Sequence, residues 1–360
     1  MRVCTIIGAR PQFIKAAAVS ARFAAEQGAE ELLIHTGQHY DPEMSKVFFE
    51  ELGIPREKYN LKIGSGPHAA QTGRMMIGIE EILLREKPDW VMIYGDTNST
   101  LAGALAASKL NIPVAHVEGG MRSFNRAMPE EINRIVSDHL SELNFCSTGT
   151  AMHNLKNEGR GHSSVLSGDV MYDCALMFAG LAAQRGKSLQ SFQIETKKYA
   201  LVTCHRAENT DDPARLGGII NALNELSATL PVLWPMHPRT RKYIESLAMP
   251  LSSNLNIIPP VGYLDIIILE RNARLILTDS GGIQKEAFFY DVPCVTMRDE
   301  TEWVETVELG WNSIVGADSK RILASANAFI SNPPVPSNAK PYGDGHAANK
   351  ILKHLLTHNV

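Results

Sequence analysis

Three glycine-bearing stretches of this chain have the composition of phosphate or sugar cradles. In Gly8-Ala9-Arg10-Pro11-Gln12-Phe13-Ile14-Lys15, Pro11 suits the first turn of a helix, and Arg10 and Lys15 can both reach an anion at that helix start. Only one glycine stands where a dinucleotide fingerprint requires three, so this is not an NAD loop. Gly95-Asp96-Thr97-Asn98-Ser99-Thr100 follows an apolar run, and Asp96 there is either a helix N-cap or a functional carboxylate. In Thr278-Asp279-Ser280-Gly281-Gly282-Ile283-Gln284-Lys285-Glu286 the paired glycines let a ligand approach the backbone while helix N–H groups point outward. It is the best diphosphate candidate.

Proton-transfer groups gather in the same half of the chain as the first two loops. Glu118 opens Glu118-Gly119-Gly120-Met121-Arg122-Ser123, and Pro129-Glu130-Glu131-Ile132-Asn133-Arg134 begins a helix on which Glu130 and Arg134 share a face. That pair reads either as a solvated ion pair or as part of a site. Asp96, Glu118 and Glu130 all follow strands and lie among Arg10, Lys15 and Arg134, which is acid–base equipment. Later in the chain, His205 and His237 each stand immediately beyond a strand, as capping or as ligand-binding side chains. No D-x-D pair, H-E-x-x-H or Cys/His cluster occurs, so no metal is expected.

Strands must aim these loops. Apolar, β-branched runs at Val3 to Ile7, Leu32 to His35, Trp90 to Tyr94, Val114 to Val117, Leu143 to Cys146, Ala200 to Thr203, Val232 to Trp234, Leu275 to Thr278 and Cys294 to Met297 alternate with helical segments. Such alternation predicts parallel sheets covered on both faces. The 360 residues fit about two domains. The expected fold class is α/β, with two Rossmann-like doubly wound domains facing a cleft. Residues 1–170 form the first, joined by a C-terminal helix within 346–360, and residues 171–345 form the second. The hinge is placed at Gln184 to Ser188. A formal net charge of −4 argues against a general nucleic-acid binder. With no signal-peptide or membrane-length apolar run and five scattered cysteines, the chain reads as cytoplasmic and free of membrane.

Taken together, G-A-R-P-x-x-I-K, G-D-T-N-S-T, H-V-E-G-G-M-R-S, P-E-E-I-N-R, H-R-A-E-N, H-P-R-T and D-S-G-G-I-Q-K-E-A occur in this order. The chain thereby resembles the non-hydrolysing UDP-N-acetylglucosamine 2-epimerase family, from about Val3 to Gly345. The resemblance implies a GT-B-like pair of domains with UDP held mainly by the second, a homodimer, and no cofactor beyond the UDP of the substrate itself. It also implies a supply of precursors for cell-surface polysaccharide. Carried over, the catalytic set is Arg10, Lys15, Asp96, Glu118, Glu130 and Arg134, joined by His205. Arg10 and Lys15 also bind substrate, and the UDP contacts map to His237, Tyr263, Ser280, Gly281, Gly282, Glu286 and Arg298. An activating nucleotide sugar, found in some relatives, would meet Gln38, His39 and Gln71. Departures at Gln12, at Asn98-Ser99, across Ser123 to Met128 and at Glu300-Thr301-Glu302-Trp303-Val304-Glu305 make the chain similar to a branch acting on UDP-2,3-diacetamido-2,3-dideoxyglucuronate. Loss of a carboxylate at Gln12 and the extra cation Arg126 would suit an acidic sugar.

C2 of a 2-acetamido pyranose has no adjacent carbonyl, so its proton is not acidic enough for direct removal and return. Transient oxidation needs the NAD loop that the first stretch lacks. Elimination remains: UDP leaves C1 as H2 is taken, giving a glycal, and UDP adds back as a proton arrives on the opposite face. Asp96 and Glu130 are the expected proton-transfer pair, with Glu118 orienting or relaying. A GT-B glycosyltransferase and a nucleotide-sugar sensor without turnover are the alternatives, although a sensor has no use for three carboxylates.

Overall fold

The computed structural model describes residues 1–38, 55–336 and 338–358; the Arg10 side chain and His39 lie outside the described residues. The chain divides into two compact units, Met1–Met177 with Lys340–Val360, and Phe178–Ala339. The division falls within the helix Val170–Arg185, upstream of the whole stretch Gln184 to Ser188 whose composition suggested a hinge.

In the first unit β1 (Arg2–Ile7), β2 (Glu30–His35), β3 (Tyr59–Asn60), β4 (Trp90–Tyr94), β5 (Val114–Val117), β6 (Leu143–Cys146) and β7 (Ser164–Leu166) pair in parallel, in the order β3-β2-β1-β4-β5-β6-β7. In the second, β8 (Ala200–Thr203), β9 (Val232–Pro235), β10 (Leu255–Ile258), β11 (Leu275–Thr278), β12 (Cys294–Thr296) and β13 (Asn312–Ile314) follow the order β10-β9-β8-β11-β12-β13. Both are doubly wound. Winding reverses between β1 and β4 and between β8 and β11, so the loops beyond those strand ends diverge and leave room for a ligand.

The central strands β4, β5, β6, β8 and β11 are buried at every residue, as expected of strands with helices on both faces. The small-residue helix Asn98–Lys109 lies close on the sheet: a Cβ at Gly103 would come within 2.8 Å of Ile6 Cδ1. All five cysteines are buried. The terminal helix Ala347–Thr357 belongs to the first unit, where the Asp173 carboxylate accepts from the Ala347 and Ala348 N–H groups at 3.0 and 2.8 Å. Among the described residues no helix is long and apolar enough to cross a membrane.

β2 carries a half-buried acid, Glu31, whose sealed carboxylate oxygen has a measurable consequence. Glu31 Oε1 accepts from Thr5 Oγ1 at 2.7 Å, while Oε2 is sealed from solvent with no hydrogen-bond partner among the described residues. Burial pushes this carboxyl up to about 7, against hydrogen bonds that pull the other way. Because the folded value exceeds the unfolded one, folding favours the protonated acid. Stability from this group is therefore full below about 4.5 and is lost as pH rises to about 7. Glu31→Gln should add about 3 kcal/mol at pH 8 and nothing at pH 4, by urea unfolding at both. Equal stability of the two proteins at pH 8 would refute this.

Candidate active site

β4 and β5 are neighbours in the sheet and carry the two carboxylate turns of the first unit. Gly95 turns the chain at φ 62°, and a Cβ there would lie 3.2 Å from Lys15 Nζ, so glycine leaves the ammonium its space. The cap of the following helix is Thr97, whose Oγ1 accepts from Thr100 N at 3.3 Å. Asp96 is thus relieved of capping. It receives Arg134 Nη2 at 2.5 Å and keeps 27% of its side chain exposed, while Asn133 Nδ2 holds its carbonyl at 2.9 Å. Glu118, at φ 71°, receives Lys15 Nζ at 2.5 Å in a pair that is almost wholly buried. One carboxylate is aimed yet accessible; the other is shielded and neutralised.

The helix Pro129–Leu140 changes one expectation. Arg134 pairs with Glu131 at 2.8 Å, three residues before it, and not with Glu130. Glu130 is exposed and makes no hydrogen bond or ion pair with the described residues. Glu131 also accepts from Ser123 N, Ser123 Oγ and Phe124 N at 2.9, 2.9 and 3.0 Å, which clamps the loop bearing the exposed Arg126. Adjacent acids at 130 and 131 made either phase of this helix compatible with a charge pair, so spacing alone could not choose. Gln12 is engaged at both ends of its amide. Its Oε1 accepts from Gly8 N and Ala9 N at 2.8 and 3.0 Å, and its Nε2 donates to Tyr94 O and Thr100 Oγ1 at 2.9 and 3.0 Å. A side chain so engaged braces the loop.

Gln38 and Gln71 are tied into the same region. Gln38 Oε1 accepts from Ser99 N and Oγ at 3.0 and 2.7 Å, and Gln71 Oε1 accepts from Asn98 Nδ2 at 2.8 Å. His39, their expected companion, lies outside the described residues.

In the second unit the expected UDP contacts follow strand ends. Ser280 is the N-cap residue of the helix Gly281–Phe289, yet its side chain makes no cap bond, and Gly282 is exposed, so first-turn N–H groups face outward. Space at Gly281 is walled by Trp303 Nε1, Glu302 Oε2 and Arg298 Nη1, at 3.5, 3.9 and 4.0 Å from a Cβ built there. Arg298 is buried and donates to both Glu302 oxygens at 3.0 and 3.2 Å. Tyr263 Oη donates to Glu286 Oε1 at 3.1 Å, and the two are buried together. His237 caps the helix Pro238–Ser246, its Nδ1 accepting from Arg239 N at 3.2 Å. Asp279, absent from the sequence-derived set, accepts from the N–H groups of His205 and Arg206 at 3.0 and 2.9 Å and so sets the half-exposed His205 beyond β8. Its only sequence signal is an acid directly after a buried strand. Among the described residues no group of three or more His, Cys, Asp or Glu side chains could hold a metal ion.

The family model of UDP-N-acetylglucosamine 2-epimerase matches residues 21–356. The chain belongs to this family. As a member it is an isomerase of the UDP-sugar 2-epimerase kind. It is 54% identical to a UDP-N-acetylglucosamine 2-epimerase homolog of Methanococcus maripaludis, over 99% of each chain. It is 51% identical, again over 99% of each, to the UDP-2,3-diacetamido-2,3-dideoxy-D-glucuronate 2-epimerase of Pseudomonas aeruginosa. The crystal structure of the Methanocaldococcus jannaschii UDP-GlcNAc 2-epimerase in complex with UDP-GlcNAc and UDP superposes with a TM-score of 0.92, at 42% identity, covering 99% of this chain and 100% of that one.

Proposed function

We propose that this family member inverts C2 of UDP-2,3-diacetamido-2,3-dideoxyglucuronate by elimination and re-addition of UDP. The observation that carries the mechanism is the pair of ion-paired carboxylates, Asp96 with Arg134 and Glu118 with Lys15, beyond the adjacent strands β4 and β5. A carboxylate takes H2 as the C1–O bond breaks and its electron pair leaves on the diphosphate. The glycal then accepts UDP at C1 and a proton at C2 from the opposite face. Asp96 and the exposed Glu130 are the proton-transfer groups, and Glu118 orients or relays. The uncapped helix start at Ser280 to Gly282, with Arg298, steadies the charge that builds on the diphosphate. His205 belongs to the same proposed catalytic set. No metal or NAD enters the cycle.

Support for the uronate over UDP-GlcNAc comes from Arg126, an exposed cation that pairs with none of the described residues, on a loop clamped by Glu131. The likeness to the Pseudomonas aeruginosa relative points the same way. The test is incubation with each UDP-sugar in heavy water, without acceptor or metal, following C2 by NMR. Deuterium at C2 in both epimers, with the uronate turned over at higher kcat/KM than UDP-GlcNAc, is the expected result. Epimerisation of UDP-GlcNAc at the higher kcat/KM would overturn the substrate choice, and C2 protium retained in both sugars would overturn the reaction.

A further inference from the structure

His116 is a polar interruption in the otherwise apolar strand β5, with none of its surface exposed, and it faces Asp138, equally buried, on the helix Pro129–Leu140. Nδ1 lies 2.8 Å from Asp138 Oδ1, and Nε2 lies 2.7 Å from the carbonyl of Gly95, the residue before Asp96. Each ring nitrogen is thus within hydrogen-bond distance of an oxygen, one on the helix and one on the Gly95 turn. Asp138 Oδ2 in turn accepts from Gly120 N at 3.0 Å, two residues beyond Glu118, and from Arg122 Nη1 at 2.7 Å. Arg122 closes the chain on Glu158 through Nε and Nη2 at 2.8 and 2.7 Å.

This network spans both carboxylate turns, and both pass through the left-handed backbone region, at a strain cost only where the residue is Glu118. Gly95, Glu118 and Gly120 stand at φ 62°, 71° and 80°. A non-glycine residue such as Glu118 keeps that conformation only where its surroundings over-determine it. Gly95 is held on both sides, its N–H on Val117 O at 3.0 Å and its carbonyl on His116, so the peptide plane that launches Asp96 has no freedom to turn. Hydrogen bonds to His116 and Arg122 offset burial and hold the Asp138 carboxyl below its usual range. An apolar side chain at 116 would fill the strand at less desolvation cost, since well-packed apolar groups often replace buried ion pairs without loss of stability. The buried polar arrangement therefore does something that packing alone does not require.

We infer that His116 and Asp138 are positioning residues, which lock the Asp96 and Glu118 turns into one rigid unit and so set the two carboxylates for proton transfer at C2. The inference rests on the proposed role of those carboxylates. Misplacing a catalytic group by about 1 Å costs on the order of 100-fold in rate.

The test is a double-mutant cycle on the full chain with the preferred UDP-sugar, measuring kcat, KM, UDP affinity and thermal midpoint. His116→Leu should lower kcat by about 100-fold with KM and UDP affinity unchanged. His116→Gln, which keeps a donor for the Gly95 carbonyl, should recover part of that loss, and it carries the test if His116→Leu does not fold. In an Asp96→Asn background either substitution should add little, because the group it positions is already gone. A purely structural role predicts the opposite: the same fractional loss in both backgrounds, or a fall in UDP affinity alongside kcat. Either outcome, or near-normal kcat in the folded variants, would overturn the inference. Normal turnover by Asp96→Asn would instead remove the carboxylate's assigned role, so the two failures are distinguishable.

Discussion

Asp96→Asn should lose about 1,000-fold in kcat while binding UDP as well as the unaltered protein. The amide preserves the volume and can still accept from Arg134 Nη2, which bonds the carboxylate at 2.5 Å. Local geometry should therefore survive, and Thr97 rather than Asp96 caps the following helix, so no fold-stabilising cap is lost. What disappears is the capacity to take and return a proton. UDP affinity is the internal control, because the proposed diphosphate contacts belong to residues 178–339. Steady-state rates with C2 deuterium exchange check the first statement, and calorimetric titration with UDP checks the second. Turnover within a few-fold of normal would end the assignment of Asp96 as a proton-transfer group.

Arg298→Met should show two large effects. The guanidinium is 1% exposed and forks onto both oxygens of Glu302, so removing it breaks a buried pair at a cost of about 3 kcal/mol in unfolding free energy. It also lines the twin-glycine turn, where its Nη1 would lie 4.0 Å from a Cβ at Gly281. Loss of a charge-assisted donor there should weaken UDP binding by about 100-fold. Arg298→Lys keeps the charge without the planar fork, and it should recover more UDP affinity than stability. Titration well below the midpoint of unfolding separates the two effects. Unchanged UDP affinity in folded Arg298→Met would reduce Arg298 to a brace for Glu302.

Legibility followed burial. The nine strands expected from apolar runs are all present, because a strand covered on both faces is apolar at most of its positions. β3, β7, β10 and β13 went unrecognised, and they are the four sheet edges. Each is short and largely outside the fully buried class, so it carries no continuous apolar run: β7 is Ser164-Val165-Leu166 and β13 is Asn312-Ser313-Ile314. Parallel pairing with a central neighbour makes them strands, and that neighbour is distant in sequence.

The helix Pro129–Leu140 shows the opposite failure. It buries Glu131, Asn133, Arg134, Ser137 and Asp138 and leaves Ile132 47% exposed, so its inward face is polar. Apolar periodicity would have turned it the wrong way round. Such a face is tolerable only because each buried charge finds partners on β4, β5 and their loops, and no local pattern records those partners.

Residue types and their order were enough to establish the α/β class, the loops that carry chemistry and the family, because glycine turns, strand composition and motif sequence are properties of adjacent residues. Which acid pairs with Arg134, that Thr97 and not Asp96 caps its helix, and that His116 reaches the Gly95 carbonyl are contacts that depend on helix phase and strand order. They come into being when β4 and β5 pair and the polar helix packs against them, since a rotation of one residue about that helix axis would exchange one set of partners for another.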